Sequence, residues 1–290
     1  MNRLIAYRSS EPERLRTVLR SHPEVLPGAG GRGGGTDKTP VPGENEVHEG
    51  AAPAAATEWA RWGVGFYIGG EALVQRWSAE ATRGLAAVLD LRSDNLIAQS
   101  RLVGSADAAT QTSTAESPFR FRGFTLAVQG DLRALGQERQ ARNAELPDFL
   151  RAQLRGQSDA EALFYQFLLR LHEAEPTYLT RPELPPEVAV AALGQVLHAA
   201  AGATEAGQPA QHAALSNGQW LVVARRGPQP LWYRAVAGLG EGEEDFRAIF
   251  ATADATAESR PAETGMVEVP DNYALMIGAD LDFQLLPLSL

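Results

Sequence analysis

The chain contains no cysteine, and lysine is nearly as scarce: of 26 basic residues, only Lys38 is a lysine. The missing cysteines exclude disulfides, thiolate zinc sites, iron–sulfur ligation and any cysteine nucleophile supplied by these 290 residues. Lys38 stands in a Gly/Pro-rich stretch, a poor setting for a Schiff-base or phosphate-loop lysine. His22, His48, His172, His198 and His212 show neither i,i+4 nor H-E-x-x-H spacing, so no metal and no cofactor is expected. No G-x-S-x-G elbow occurs. No run of roughly 18 apolar residues is present, so no membrane span is expected. No apolar secretory segment opens the sequence, which makes the cytoplasm the default compartment. A net charge of −10 argues against nucleic-acid and anionic-membrane partners, whose phosphates demand clustered basic groups.

Hydrophobic residues make up 44% and charged residues 21%, ordinary values for a chain that buries a core. Residues 3–7 read as a short buried strand. Ser10-Glu-Pro-Glu-Arg-Leu15 supplies an N-cap serine and a first-turn proline, predicting a helix to about His22. From Pro27 to Thr57 the text turns to Gly, Pro, Ala and Glu, too poor in apolar surface to offset chain entropy. This stretch is read as a flexible insertion. Trp62-Gly-Val-Gly-Phe-Tyr67, Gly69-Gly70 and Glu71 to Trp77 predict a hairpin. Strands are also predicted over 96–101 and 123–130. Ser158-Asp-Ala-Glu161 is a capping box opening a helix to about Ala174, and a second helix covers 185–201. Later strand signals include 214–224, split by Ser216-Asn217-Gly218, then 231–236, 246–252, 266–269, 274–277 and 283–286. Strands, then helices, then strands predict antiparallel sheets covered by helices.

Several short motifs, in order, resemble the class II glutamine amidotransferases of the Ntn-hydrolase superfamily. The opening Met1-Asn-Arg-Leu-Ile-Ala-Tyr-Arg8 is similar to that family's start, where the second residue is the nucleophilic cysteine. Trp62-Gly-Val-Gly-Phe-Tyr67 matches its W-G-(I/V)-G-(F/Y)-Y hairpin, with Ala60-Arg61 where the family has Asp-Gly. Gln99-Ser-Arg101 stands for its His-x-Arg, and Ala115-Glu-Ser-Pro-Phe119 for its N-x-H-P-F. Val128-Gln129-Gly130 stands for H-N-G, and Ser158-Asp159-Ala-Glu161 for (S/T)-D-(S/T)-E. Leu215-Ser-Asn-Gly218 and Phe250-Ala-Thr-Ala253 resemble later segments of the same family.

The resemblance spans almost the whole chain. It implies an α+β fold, a four-layer αββα sandwich, as one domain over 1–290 with the 27–57 insertion inside it. It places Asn2 at the nucleophile position. A carboxamide is a poor nucleophile, and a retained Met1 would leave no free α-amine there to act as base. Arg101 falls where a guanidinium grips the α-carboxylate of glutamine, a task suited to its planar fork. Asp159 falls where a carboxylate accepts from the α-ammonium. Gln129 and the Gly130 N–H fall at the oxyanion positions, Gln129 one methylene longer than the family's asparagine.

The expectation is a glutamine amidotransferase-like pseudoenzyme with a pocket for L-glutamine or a related amide, and with a protein partner or a second copy as further candidates. Two alternatives stand beside it. One is an interaction protein with a closed pocket. The other is an amidohydrolase with a different nucleophile, such as Thr36 or Thr57 exposed by proteolysis. Bland roles for the same residues are an ion pair for Arg101, helix-dipole stabilisation for Asp159 and backbone pairing for Gln129.

Overall fold

The structure is a computed structural model that describes residues 2–21, 59–103, 116–181, 183–201, 210–238, 244–254 and 265–288. The stretch 27–57, read as an insertion, lies outside them. Chain order begins β1 (Asn2–Ser9), α1 (Leu15–Ser21), β2 (Trp59–Ile68), β3 (Glu71–Glu80), α2 (Ala81–Leu89), β4 (Asn95–Val103), β5 (Phe119–Phe121) and β6 (Phe124–Gly130). Four helices follow: α3 (Arg133–Ala144), α4 (Asp148–Arg151), α5 (Asp159–Ala174) and α6 (Pro186–Ala201). The chain then returns to strands: β7 (Gln211–Ser216), β8 (Leu221–Arg226), β9 (Trp232–Ala237), β10 (Arg247–Asp254), β11 (Val267–Glu268), β12 (Tyr273–Ile277) and β13 (Phe283–Pro287).

One seven-stranded sheet has the order β11-β9-β10-β1-β4-β2-β3, and a six-stranded sheet has the order β13-β12-β8-β7-β6-β5. Strand periodicity sorts the buried side chains into three cores. On β1, Leu4 and Ala6 pack between the two sheets, while Ile5 and Tyr7 face the layer of α1 and α2. On β6, Ala127 points into the inter-sheet core, while Leu126 and Val128 pack under α3, α5 and α6. This alternation of period two, buried on both faces, is what stacks helix on sheet, sheet on sheet and sheet on helix: the four-layer αββα arrangement. Among the described residues no helix is long and apolar enough to cross a membrane.

The W-G-V-G-F-Y strand shows why its residue types are needed. Trp62, Val64 and Phe66 fill the outer core, so Gly63 and Gly65 face the second sheet. An added Cβ at Gly63 would sit 2.1 Å from the Ser117 carbonyl oxygen, so only glycine allows that approach. Tyr67 ends the motif by bridging the sheets: its hydroxyl lies 2.9 Å from Thr125 Oγ1, 2.9 Å from the Gly123 oxygen and 2.8 Å from the Ser216 oxygen. Burial pushes this phenol up to about 12. Gly69 and Gly70 turn the hairpin at φ 58° and 82°, the left-handed region expected of a tight two-residue turn.

Two local expectations are corrected. The first helix starts at Leu15, not after Ser10. The Ser10 hydroxyl instead accepts from Arg247 N at 3.1 Å, joining the loop to β10. At α5, Ser158 Oγ accepts from Glu161 N at 3.1 Å as a capping box requires. The Glu161 carboxylate does not return to the Ser158 N–H. It accepts from Arg155 N at 2.9 Å and Gly156 N at 2.7 Å, tying down the loop before the helix.

Candidate functional site

The N-terminal end of β1 lies against the C-terminal end of β4. Asn2 is the first residue of β1 and pairs with Arg101, which in turn pairs with Arg61 on β2. Alternation puts positions 61 and 101 on the face that Leu4 shares, the face toward the second sheet. Arg101 is exposed, and no hydrogen bond or ion pair engages it among the described residues. Beside it, Arg61 Nη1 donates to Glu116 Oε1 at 2.7 Å, with both side chains largely buried.

One row further in, Gln99 pairs with Leu4 and reaches across the inter-sheet space. Its Nε2 donates to the Val128 oxygen of β6 at 3.1 Å. The neighbouring Gln129 is buried and reaches the opposite way. Its Nε2 donates to the Ala253 oxygen at 3.3 Å, on the residue paired with Leu4. The same nitrogen stands 3.4 Å from Nδ1 of His212, its cross-strand partner on β7. His212 Nε2 lies 3.0 Å from the Gln229 oxygen and therefore carries the proton, leaving Nδ1 to accept. Burial holds the imidazole down at about 4, so the ring is neutral near pH 7. Both hydrogens of the Gln129 amide are thus directed at protein acceptors, while its oxygen is buried without a partner among the described residues. Gly130 follows at φ 114°, and an added Cβ would meet the Ala210 oxygen at 2.1 Å. The strand end at Gly130 is therefore closed to any side chain.

Asp159 occupies the first turn of α5, where a carboxylate is stabilised by the helix dipole. Its Oδ1 accepts from Arg139 Nη1 of α3 at 2.8 Å. Gly136 makes room for it, since a Cβ there would stand 2.6 Å from Asp159 Oδ2.

The fold therefore gathers Asn2, Arg101, Gln99, Gln129 and Gly130 at one end of the paired sheets. It holds Asp159 in the helix layer, ion-paired to Arg139. Three participants, Arg61, Glu116 and His212, were not singled out from sequence. The Arg61–Glu116 pair had a weak signal, since Arg61 immediately precedes the W-G-V-G-F-Y motif and Glu116 lies inside the segment resembling N-x-H-P-F. His212 had none, because its place beside Gln129 is set by strand register. Among the described residues no group of three or more His, Cys, Asp or Glu is placed to hold a metal ion.

Two antiparallel sheets packed face to face between helical layers make this the αββα fold of the Ntn hydrolases, in the form found in class II glutamine amidotransferase domains. The chain is similar in structure to a glutamine aminotransferase class-II domain protein from Silicibacter pomeroyi, at 19% identity and a TM-score of 0.52, covering 80% of this chain and 100% of that one. It is also similar to glutamine phosphoribosylpyrophosphate amidotransferase from B. subtilis, at 13% identity and a TM-score of 0.55, covering 99% of this chain and 49% of that one. The allosteric regulatory enzyme of purine biosynthesis matches at the same identity, TM-score and coverage. The chain spans about half the length of these last two proteins. No family model matches the chain, and no curated protein matches it by sequence.

Proposed function

We propose that this chain is a single class II glutamine amidotransferase-like domain over 1–290 that has lost glutaminase chemistry and acts in the cytoplasm as a binder of glutamine or a related γ-amide. The observation that carries this reading is the chemistry of position 2. The residue that begins β1, opposite Arg101, is asparagine, and the 290 residues contain no cysteine to replace it. Asparagine has no group able to form an acyl intermediate with the γ-carboxamide of glutamine. The engagement of Gln129 supports the same conclusion. An oxyanion donor must be aimed at the position where charge develops, and the Gln129 N–H groups point at Ala253 and His212.

Binding rests on different groups. The exposed Arg101 guanidinium is suited to the α-carboxylate, and Asp159 to the α-ammonium once that cation displaces Arg139 or shares the Asp159 carboxylate with it. Titrating the full chain with L-glutamine and L-glutamate by calorimetry tests this. Millimolar or tighter binding that Arg101→Ala abolishes is the expected result.

A second reading is an interaction protein in which the pocket is closed. It is favoured by the internal partners of Gln99, Gln129 and Asp159, each already bonded to protein groups. That reading requires that neither amino acid binds and that Arg101→Ala and Asp159→Ala leave partner capture unchanged.

A further inference from the structure

Where β3 and β5 form the neighbouring edges of the two sheets, a cavity of about 610 Å³ opens toward α5. Four arginines line it, Arg76, Arg120, Arg122 and Arg155, against one carboxylate, Glu161. Among the described residues the lining is thus positive on balance, in a chain whose net charge is −10.

Three of these guanidinium groups are fixed by backbone carbonyls. Arg76 Nε donates to the Glu116 oxygen at 2.6 Å, and its Nη2 donates to the Pro118 oxygen. Arg120 Nη1 donates to the Ala72 oxygen at 2.5 Å. Arg122 Nη1 donates to the Leu179 oxygen at 3.3 Å, and its guanidinium lies 5.2 Å over the Phe121 ring. Carbonyls and a ring face orient a guanidinium without cancelling its charge, and each leaves most of its five N–H donors unengaged. The Arg155 guanidinium has no hydrogen bond or ion pair among the described residues.

Glu161, together with Glu116 beside Arg76, offsets the four positive charges only in part. Both Glu161 oxygens accept from backbone N–H groups, at 2.9 and 2.7 Å, and no ion pair joins it to any of the four arginines. Burial also lowers Arg76 from its usual range, a cost that a bound anion relieves. Phe149 and Tyr165 add apolar wall. The volume falls in the range of about 300–1,000 Å³ typical of small-molecule sites.

We propose that this cavity binds a small organic anion carrying at least two acidic groups, phosphate or carboxylate, which the arginines grip while its body lies against Phe149 and Tyr165. Oriented, only partly neutralised forks are the arrangement that recognises oxyanions bidentately. The proposal does not depend on glutamine binding, because it uses the lateral edge of the sheets and none of Asn2, Arg101, Gln129 or Asp159.

The test is calorimetric titration of the full chain at low ionic strength with pyrophosphate and, separately, with citrate. Saturable binding of at least one is expected, weakening as salt is raised. Arg155→Ala removes no bond to the protein among the described residues and should leave the thermal melt unchanged. It should weaken binding about tenfold, and Arg122→Ala similarly, by the loss of a charge-assisted hydrogen bond. The surface control Arg92→Ala, whose own partner is Glu13, should leave binding unaltered. A response to pyrophosphate alone assigns a phosphorylated ligand, and one to citrate alone assigns a polycarboxylate. The proposal is overturned if neither anion saturates at millimolar concentration, or if Arg92→Ala weakens binding as much as Arg155→Ala.

Discussion

Alanine placed at Gly63 and, separately, at Gly65 should have sharply different consequences, although the two glycines lie two residues apart on one strand and face the same sheet. Each substitution gains the same small amount from reduced chain entropy, about 0.5–1 kcal/mol. At Gly65 the new methyl group would stand 3.3 Å from Thr125 Cβ, a tight contact that a slight shift relieves. The net change there should stay within about 1 kcal/mol of zero. At Gly63 the methyl would stand 2.1 Å from the Ser117 oxygen and 2.7 Å from Pro118 Cδ. A backbone carbonyl held by its own chain cannot move aside as a flexible side chain can. Moving it displaces the 116–118 segment that Arg76 and Arg61 hold through Glu116. A loss of at least about 3 kcal/mol is expected, at the upper end of overpacking costs. Urea unfolding followed by tryptophan fluorescence reads this directly. With a slope of roughly 3 kcal/mol per molar, the Gly63→Ala midpoint falls by about 1 M while that of Gly65→Ala barely moves. Equal midpoints for the two variants would refute the argument that Gly63 is required by the close approach of the two sheets.

Tyr67→Phe removes the hydroxyl that bridges Thr125, Gly123 and Ser216 and leaves buried acceptors without a donor; a loss of about 1–3 kcal/mol in the same unfolding assay is expected, with near-neutrality contradicting the bridging role. His212 governs an acid transition. Its native pKa, about 4, is below its ordinary 6.5, so the unfolded state binds the extra proton between these values and stability falls as pH drops through that window. The displacement corresponds to roughly 3 kcal/mol, and His212→Gln should flatten this part of the stability–pH curve. An unchanged curve in the variant would show that His212 is not the group responsible.

Much of the layer arrangement was legible because buried strands announce themselves by composition and period. The β2–β3 hairpin, β4, β6, α5 and α6 fall where the apolar patterns place them. The helices α2 and α3 were not legible, for opposite reasons. Gly84 sits in the middle of α2, which argues locally against a helix. In the structure, its missing side chain admits the Trp62 indole, since a Cβ would lie 1.9 Å from Trp62 Nε1. The helix α3 buries only Leu135, so its arginine- and glutamine-rich text carries almost no periodic signal. At the candidate site, the residues on β1, β4 and β6 could be ordered from motifs alone. The partners of Gln129 could not, because Ala253 and His212 come from strands more than 80 positions away, and register alone sets them opposite Gln129. Arg139, the partner of Asp159, was invisible for the same reason as the helix that bears it.

Ammonia release from L-glutamine by the purified chain is the most direct test of the proposed loss of glutaminase chemistry. Turnover lower than that of an active class II enzyme by about 10⁶, the usual consequence of losing a covalent nucleophile, is expected in a sample that still binds glutamine. Ammonia release at a rate comparable to an active enzyme, persisting in an Asn2→Ala variant or abolished by it, would contradict the account and require a nucleophile other than cysteine.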